Sequence, residues 1–300
     1  MTDAAHRCGT IAVLGAPNAG KSTLINRLVG SKVSIVSPKV QTTRARVLAI
    51  AMHGAAQLIF IDTPGIFAPK RRLERAMVAA AWAGAQDADA IVLLVDAARG
   101  LDEDTVRIID GLARAGRRAI LVLNKVDRVA RETLLPLTDQ LVKRGIFDTV
   151  FMISSLTGDG VDDLAAHLAR TVPEGPWLFP EDQISDVPLR LLAAELVREQ
   201  VFVQLHQELP HAITVETDEW EERKDGSVKI TATVHVARES HKPIVLGKGG
   251  AQIKRIGAAA RAELERLLER RVHLFLHVRV TENWADDREH YAAMRLEYEK

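Results

Sequence analysis

The 300-residue sequence has one cysteine, Cys8, which excludes an internal disulfide and fits a reducing compartment. It has no apolar run near the about 18 residues needed to cross a bilayer, and its first ten residues, MTDAAHRCGT, contain no apolar core of a signal peptide. An intracellular protein that does not span a membrane is expected. It also lacks net charge: 40 basic residues balance 40 acidic ones, so bulk charge names no polyanionic partner. Nothing is low-complexity, and at 47% hydrophobic content the length suits two domains. Charge does gather locally, with ten Lys/Arg against four Asp/Glu between Arg238 and Arg279.

The first 170 residues alternate short apolar runs with helix-like segments. Thr10–Leu14, Leu58–Ile61, Ala90–Val95, Ala119–Leu123 and Val150–Ile153 read as strands buried on both faces. Residues 44–53 add an edge strand. Lys21–Val29, Leu73–Ala83, Asp102–Ala115, Glu132–Lys143 and Val161–Arg170 read as the intervening helices. This order predicts an α/β domain, a mostly parallel sheet with helices on both faces, over residues 1–172. Residues 173–188 carry four prolines and are expected to form a linker of extended character.

Beyond it the pattern changes. A helix over Leu189–His206 is followed by alternating strands at Ala212–Thr217 and Val228–Val236, with Asp225-Gly226 as the turn. A glycine-rich loop, a helix with the apolar stripe Ile253, Ile256, Ala260, Leu264 and Leu267, and a strand over Val272–Val280 complete a small α+β domain over 189–300. One face of its sheet is expected to be exposed.

Gly15-Ala-Pro-Asn-Ala-Gly20-Lys21-Ser22 fits the phosphate-loop pattern between a strand and a helix. Backbone amides of such a loop point at phosphate oxygens, helped by the positive end of the helix. The phosphate-binding set is Gly15, Asn18, Ala19, Gly20, Lys21, Ser22 and Thr23. Lys21 is expected at the β- and γ-phosphates and the Ser22 hydroxyl on Mg2+. Asp62-Thr63-Pro64-Gly65 follows a strand, which puts Asp62 beside the same phosphates as a magnesium group and the Gly65 amide near the γ-phosphate. Asn124-Lys125-Val126-Asp127 follows another. The Asp127 carboxylate can accept from guanine N1–H and its 2-amino group, whereas adenine offers neither donor. Asn124 is expected to tie this loop to the phosphate loop, Lys125 to cover the base, and a backbone amide of Ser154, Ser155 or Leu156 to meet guanine O6. The set specifies GTP over ATP.

Ile66 stands directly after the DTPG stretch, where many signalling GTPases carry a glutamine that orients the attacking water. Another group must therefore do this, or the rate alone is slow; Asn18 resembles the asparagine with which potassium-activated GTPases help bind a monovalent cation, which would stabilise transition-state charge. Residues 37–44, SPKVQTTR, lie where a switch loop belongs; Thr43, with Thr42 as the alternative, would add its hydroxyl to Mg2+ when the γ-phosphate is present.

The second glycine loop, Gly247-Lys248-Gly249-Gly250, lacks the spacing of a second phosphate loop. A G-x-x-G between helical turns beside an open sheet suits the approach of a nucleic-acid backbone, with Lys248, Lys254 and Arg255 supplying charge and Arg271 and Arg279 extending it.

GAPNAGKSTLINRL, SPKVQTTR, DTPG, NKVD, FPEDQISD, VLGKGGAQIKRIG and Trp284-Ala285-Asp286-Asp287 together resemble the Era family of bacterial ribosome-assembly GTPases, over essentially the full length. The resemblance implies a GTPase domain joined to a type II KH domain that binds the 3′ region of 16S rRNA, and a role in 30S subunit assembly and 16S rRNA processing. It further implies GTP and GDP as ligands, Mg2+ and a candidate K+ as cofactors, a monomer, and a cytoplasmic pool with peripheral association at the cytoplasmic face of the inner membrane. The departure is Ser154-Ser155-Leu156, where such proteins more often read Ser-Ala-Xaa. Two alternatives stay open: action on another RNA, or coupling of cell-cycle or membrane state to GTP level.

Overall fold

The computed structural model describes all residues except 1–5, 38–42, 45, 206–208 and 299–300, so the candidate Thr42 lies outside the described residues. The chain divides into two compact units, one of Met1–Ser34, Thr43–Asp186 and Met294–Lys300, the other of Ile35–Thr42 and Val187–Ala293.

In the first unit β1 (Arg7–Leu14), α1 (Lys21–Val29), β2 (Val47–His53), β3 (Ala56–Asp62), α2 (Arg72–Gln86), β4 (Ala90–Asp96), α3 (Glu103–Arg114), β5 (Ala119–Asn124), α4 (Leu134–Val142), β6 (Phe147–Met152) and α5 (Val161–Thr171) follow in order. The six strands lie in the order β2-β3-β1-β4-β5-β6. Only β2 is antiparallel to its neighbour; the other pairs are parallel. Period-two alternation explains the continuous apolar runs. Ile11 and Val13 of β1 enter one core with Leu58 and Phe60, while Ala12 and Leu14 enter the other with Ile61, Leu93 and Leu121. Both faces are covered, so neither strand position can be polar.

Gln57 is an exception near the start of β3, fully buried as is Asp62 at its end. Its amide accepts from the backbone N–H groups of Leu178 (2.9 Å) and Phe179 (3.0 Å) and donates to Phe179 O (2.8 Å). The proline-rich stretch is therefore no free tether. Trp177 donates to Ala55 O at 3.1 Å, and Ile50 N and Asp186 N exchange bonds with Ile184 O and Leu48 O, which covers the outer edge of β2.

The second unit contains α6 (Leu189–Gln204), β7 (Ile213–Glu222), β8 (Val228–Val236), α7 (Lys242–Leu246), α8 (Ala251–Leu268), β9 (Val272–Val280) and α9 (Arg288–Ala293). β7 and β8 are antiparallel, and the helical crossover returns β9 parallel to β8. Val228, Ile230, Ala232, Val234 and Val236 are fully buried on one sheet face, against Val197, Val201, Ile256, Ala260 and Leu264. Ile35 joins this core, and Val36 N donates to Glu199 Oε1 at 2.8 Å. The opposite face is only partly open, because His235, read as outward, is 7% exposed.

Candidate nucleotide and nucleic-acid sites

The loop between β1 and α1 is shaped by glycine. Gly20 caps α1 at φ 100°, and a Cβ there would stand 2.4 Å from Asn124 Nδ2. That crowding is the trace of a bond: Asn124 Nδ2 donates to Ala19 O at 2.8 Å, while Asn124 Oδ1 accepts from Ser155 N and Ser155 Oγ, each at 2.9 Å. One buried amide thus joins the ends of β1, β5 and β6. Lys125, at φ 63°, donates to Asn18 O at 2.6 Å and pairs with Asp96 at 2.7 Å. Arg99 donates to Pro17 O at 3.1 Å.

Lys21 is buried, and its Nζ donates to Gly15 O (3.0 Å) and Ala16 O (3.1 Å). Burial lowers its pKa from 10.5 to about 8, against the raising effect of Asp62. Asp62 is fully buried at the end of β3, and desolvation raises its carboxyl above the usual range, with neighbouring hydroxyls and Lys21 opposing. Ser22 Oγ lies 2.9 Å from Thr43 Oγ1 and donates to Asp62 Oδ2 at 3.1 Å; Thr43 Oγ1 reaches the same oxygen at 3.4 Å. Asp62 Oδ1 has no hydrogen-bond partner. Three converging oxygens with one buried carboxylate oxygen unused form a hard, oxygen-only donor set, which suits Mg2+. The residues present fit that ion.

The rest of the DTPG stretch packs against the sheet and the loop after β1. Thr63 Oγ1 donates to Val13 O at 2.8 Å, so it faces the sheet. Gly65 packs on Pro17, where a Cβ would meet the Pro17 backbone at 3.0 Å. Ile66 is fully buried in the core, with its N–H on Gly15 O at 3.2 Å.

Around the base pocket, Asp127 is exposed in the 3₁₀ turn Val126–Arg128. The Ser155 amide is occupied by Asn124, and Ser154 N donates to Asp159 O at 3.0 Å. Of the triplet, Leu156 therefore becomes the candidate for guanine O6. Its loop is fixed by Arg27, which donates to Ser155 O at 2.9 Å and also to Leu156 O. Sequence reasoning missed both Arg27, which lies in the quoted GAPNAGKSTLINRL stretch but past its phosphate-binding positions, and Asp96, which shows only as an acidic residue at a strand end.

In the second unit α7 ends at Gly247, at φ 71° and ψ 172°. A Cβ there would meet Gln252 Cβ at 2.6 Å and its backbone N at 2.8 Å. Lys248–Gly250 form a single turn, and α8 starts at Ala251 behind Gly250 at φ 78°. Cβ atoms on Gly249 and Gly250 would meet nothing within 4 Å, which leaves open space for a backbone to approach. Lys248, Lys254 and Arg255 are exposed around this turn; Arg271 and Arg279 are exposed too, but Arg271 follows the far end of the 18-residue α8 and does not extend the patch. Ile244, 53% exposed on α7, adds an apolar surface that sequence reasoning missed.

A family model described as a 50S ribosome-binding GTPase matches residues 10–125, and a KH-domain model matches 208–285. GTPase Era of Rhizobium meliloti (strain 1021) is 58% identical over 98% of this chain and 94% of its own length. GTPase Era of Bradyrhizobium diazoefficiens is 57% identical over 99% of this chain and 96% of its own. Two solved structures match over 96% of this chain and 98% of theirs. Aquifex aeolicus Era bound to GDP·AlF4− has a TM-score of 0.91 at 40% identity. Era in complex with MgGDPNP and nucleotides 1506–1542 of 16S ribosomal RNA has 0.92 at 39%. With a P-loop GTPase unit, a KH unit and full-length relatives of this closeness, the chain belongs to the GTPase Era family.

Proposed function

We propose that this GTPase binds the 3′ region of 16S rRNA through the Gly247–Gly250 turn and acts in 30S subunit assembly and 16S rRNA processing. The observation that carries the reading is the open turn between α7 and α8, ringed by Lys248, Lys254 and Arg255. The RNA backbone would lie on the turn, with bases against Ile244 and the sheet edge. The 16S fragment bound by the solved Era supports this choice of RNA. The test is fluorescence-anisotropy binding of a 16S 3′-end oligonucleotide. Gly249→Asp suits the left-handed turn and meets no neighbour, so it should leave the unit folded. A tenfold or greater loss of affinity is expected, and unchanged affinity refutes the assignment.

At the nucleotide site, the amides of Gly15 and Asn18–Thr23 with the Lys21 amine would hold the phosphates, and Ser22, Thr43 and Asp62 would hold Mg2+, which would supply charge neutralisation there. Asp127, Lys125 and the Leu156 amide take the guanine. Ile66 offers no polar atom to the attacking water, and a potassium ion beside Asn18 is proposed to help stabilise the charge instead. Hydrolysis faster in potassium than in sodium, with the difference lost in Asn18→Ala, is expected; equal wild-type rates in both salts contradict it.

A monomer and a cytoplasmic pool with peripheral inner-membrane association complete the proposal. Among the described residues no helix is long and apolar enough to cross a membrane. GTP-ordered positioning of Thr43 is proposed to change RNA affinity, because Ile35 and Val36, a short stretch upstream, are held by the second unit. Equal RNA affinity with GTP, GDP and no nucleotide refutes that coupling.

A further inference from the structure

Three side chains of the second unit that are themselves assigned to neither nucleotide nor RNA converge on one another. The register pairs Thr214 with His235 and Glu216 with Thr233. Glu216 on β7 and His235 on β8 are therefore diagonal neighbours on the sheet face opposite the apolar core. His290 comes from α9.

Glu216 Oε2 lies 3.4 Å from His235 Nε2, and Glu216 Oε1 lies 3.4 Å from His290 Nε2. The two imidazole rings meet edge to face, with centroids 5.4 Å apart at 84°. One ligand atom from each of the three side chains falls within 4.8 Å of the others. Both rings are more than nine-tenths buried, yet neither Nε2 has a hydrogen-bond partner. Buried imidazole nitrogens without partners are costly, and a shared ligand would satisfy both.

The spacing suits a metal ion. A tetrahedral centre with bonds of roughly 2.0–2.1 Å has ligand-to-ligand edges of roughly 3.3–3.4 Å. Each imidazole already stands at that length from one of the two Glu216 oxygens, and with one atom taken from each side chain the three lie within 4.8 Å, so a small rotation of the carboxylate would close the set. One outer nitrogen is held: His235 Nδ1 is hydrogen-bonded to Thr281 Oγ1 at 2.9 Å, and when Nδ1 is the donor Nε2 is left for a metal. The Asp287 carboxylate stands 3.7 Å from His290 Nδ1, beyond hydrogen-bond length. Two imidazoles and one carboxylate form a borderline donor set that selects zinc-like ions over magnesium.

We propose that Glu216, His235 and His290 form a binding site for a divalent transition ion, zinc foremost, with its fourth position open to solvent beside the half-exposed Glu216. The ion ties α9 to two strands of the sheet. It thereby secures the preceding segment, where buried Trp284 donates to Ala212 O at 3.0 Å. Because ligands from three elements must be assembled, binding energy becomes local folding energy.

The test uses the full-length chain without a histidine tag, freed of metal by a chelator. Titration with Co2+ should give the intense visible bands of a tetrahedral site at one equivalent per chain, displaced by Zn2+ and not by Mg2+. Zn2+ should also slow amide exchange in residues 284–293 by tenfold or more. His290→Gln and Glu216→Gln should each weaken Zn2+ binding at least tenfold and abolish that protection, while GTP turnover stays unchanged. Exchange in β8 reports whether His290→Gln remains folded, and the half-exposed Glu216→Gln supplies a second variant at low risk to the core. Absence of stoichiometric binding by the wild type, or undiminished binding in Glu216→Gln and folded His290→Gln, overturns the proposal.

Discussion

Asn124→Ala is the most searching perturbation of the nucleotide unit. The wild-type amide is 1% exposed and makes three hydrogen bonds, one to Ala19 O and two from Ser155. Truncation leaves a buried carbonyl and a buried backbone N–H without partners, while the Ser155 hydroxyl can rotate elsewhere. At about 1–3 kcal/mol for each orphaned group, a destabilisation of roughly 2–6 kcal/mol is expected. The loop ends would also lose their tie, so GTP affinity should fall at least tenfold, about 1.4 kcal/mol. Hydrogen exchange of β1 and α1 measures the first effect in the first unit alone, and nucleotide titration measures the second. Gly20→Ala adds an internal control: its Cβ would collide with Asn124 Nδ2, so the double variant should be less damaged than the sum of the two. A destabilisation below about 0.5 kcal/mol with undiminished GTP affinity would refute the bridging role, since surface substitutions typically stay within that range.

Three further outcomes are expected. Lys21 has a folded pKa near 8 against 10.5 for the unfolded chain, so the native state releases this proton first. Between those values the unfolded state holds more protons, and nucleotide-free stability rises with pH by up to roughly 3 kcal/mol from this group. Urea midpoints at about pH 7 and pH 10 should show that gain in the wild type and lose it in Lys21→Met. Asp127→Asn presents one donor and one acceptor in place of two acceptors, matching xanthine and mismatching guanine; competition binding should show GTP affinity falling at least tenfold while xanthosine triphosphate gains. Gly247→Ala should destabilise the second unit by roughly 2–5 kcal/mol through strain and collision with Gln252, whereas Gly249→Ala, at φ 60° in open space, should cost about 1–2 kcal/mol. Exchange in α8 separates the two.

Much of this architecture is legible in the amino-acid order because local and global signals agree. β1 and β3 read as strands since alternate residues feed two separate cores. β2 is antiparallel at the sheet edge, as an edge strand over 44–53 allows. Other elements are misread for identifiable reasons. α4 begins at Leu134, later than the expected Glu132, because Arg131–Thr133 form a 3₁₀ turn. Pro136 is accommodated in its first turn, where a missing amide costs no helical bond. β7 continues past Thr217 to Glu222 although Glu219, Glu221 and Glu222 obscure the alternation, because its outer half is an exposed ribbon paired with β8. Interactions spanning long separations leave no local pattern. Gln57 holding the 177–179 stretch, Arg27 holding the Ser155–Leu156 loop, and the Glu216, His235 and His290 cluster all emerge only when distant segments meet. His235 looked like one outward residue of an alternating strand, and burial by the following segment cannot be read from that strand.

The central claim concerns which RNA the second unit grips. Ultraviolet crosslinking in cells, with sequencing of the RNA bound to the intact chain, tests it most directly. The account predicts crosslinks concentrated near the 3′ end of 16S rRNA and strongly reduced for Gly249→Asp. Crosslinks concentrated on other RNAs, or a 16S pattern indifferent to that substitution, would contradict it.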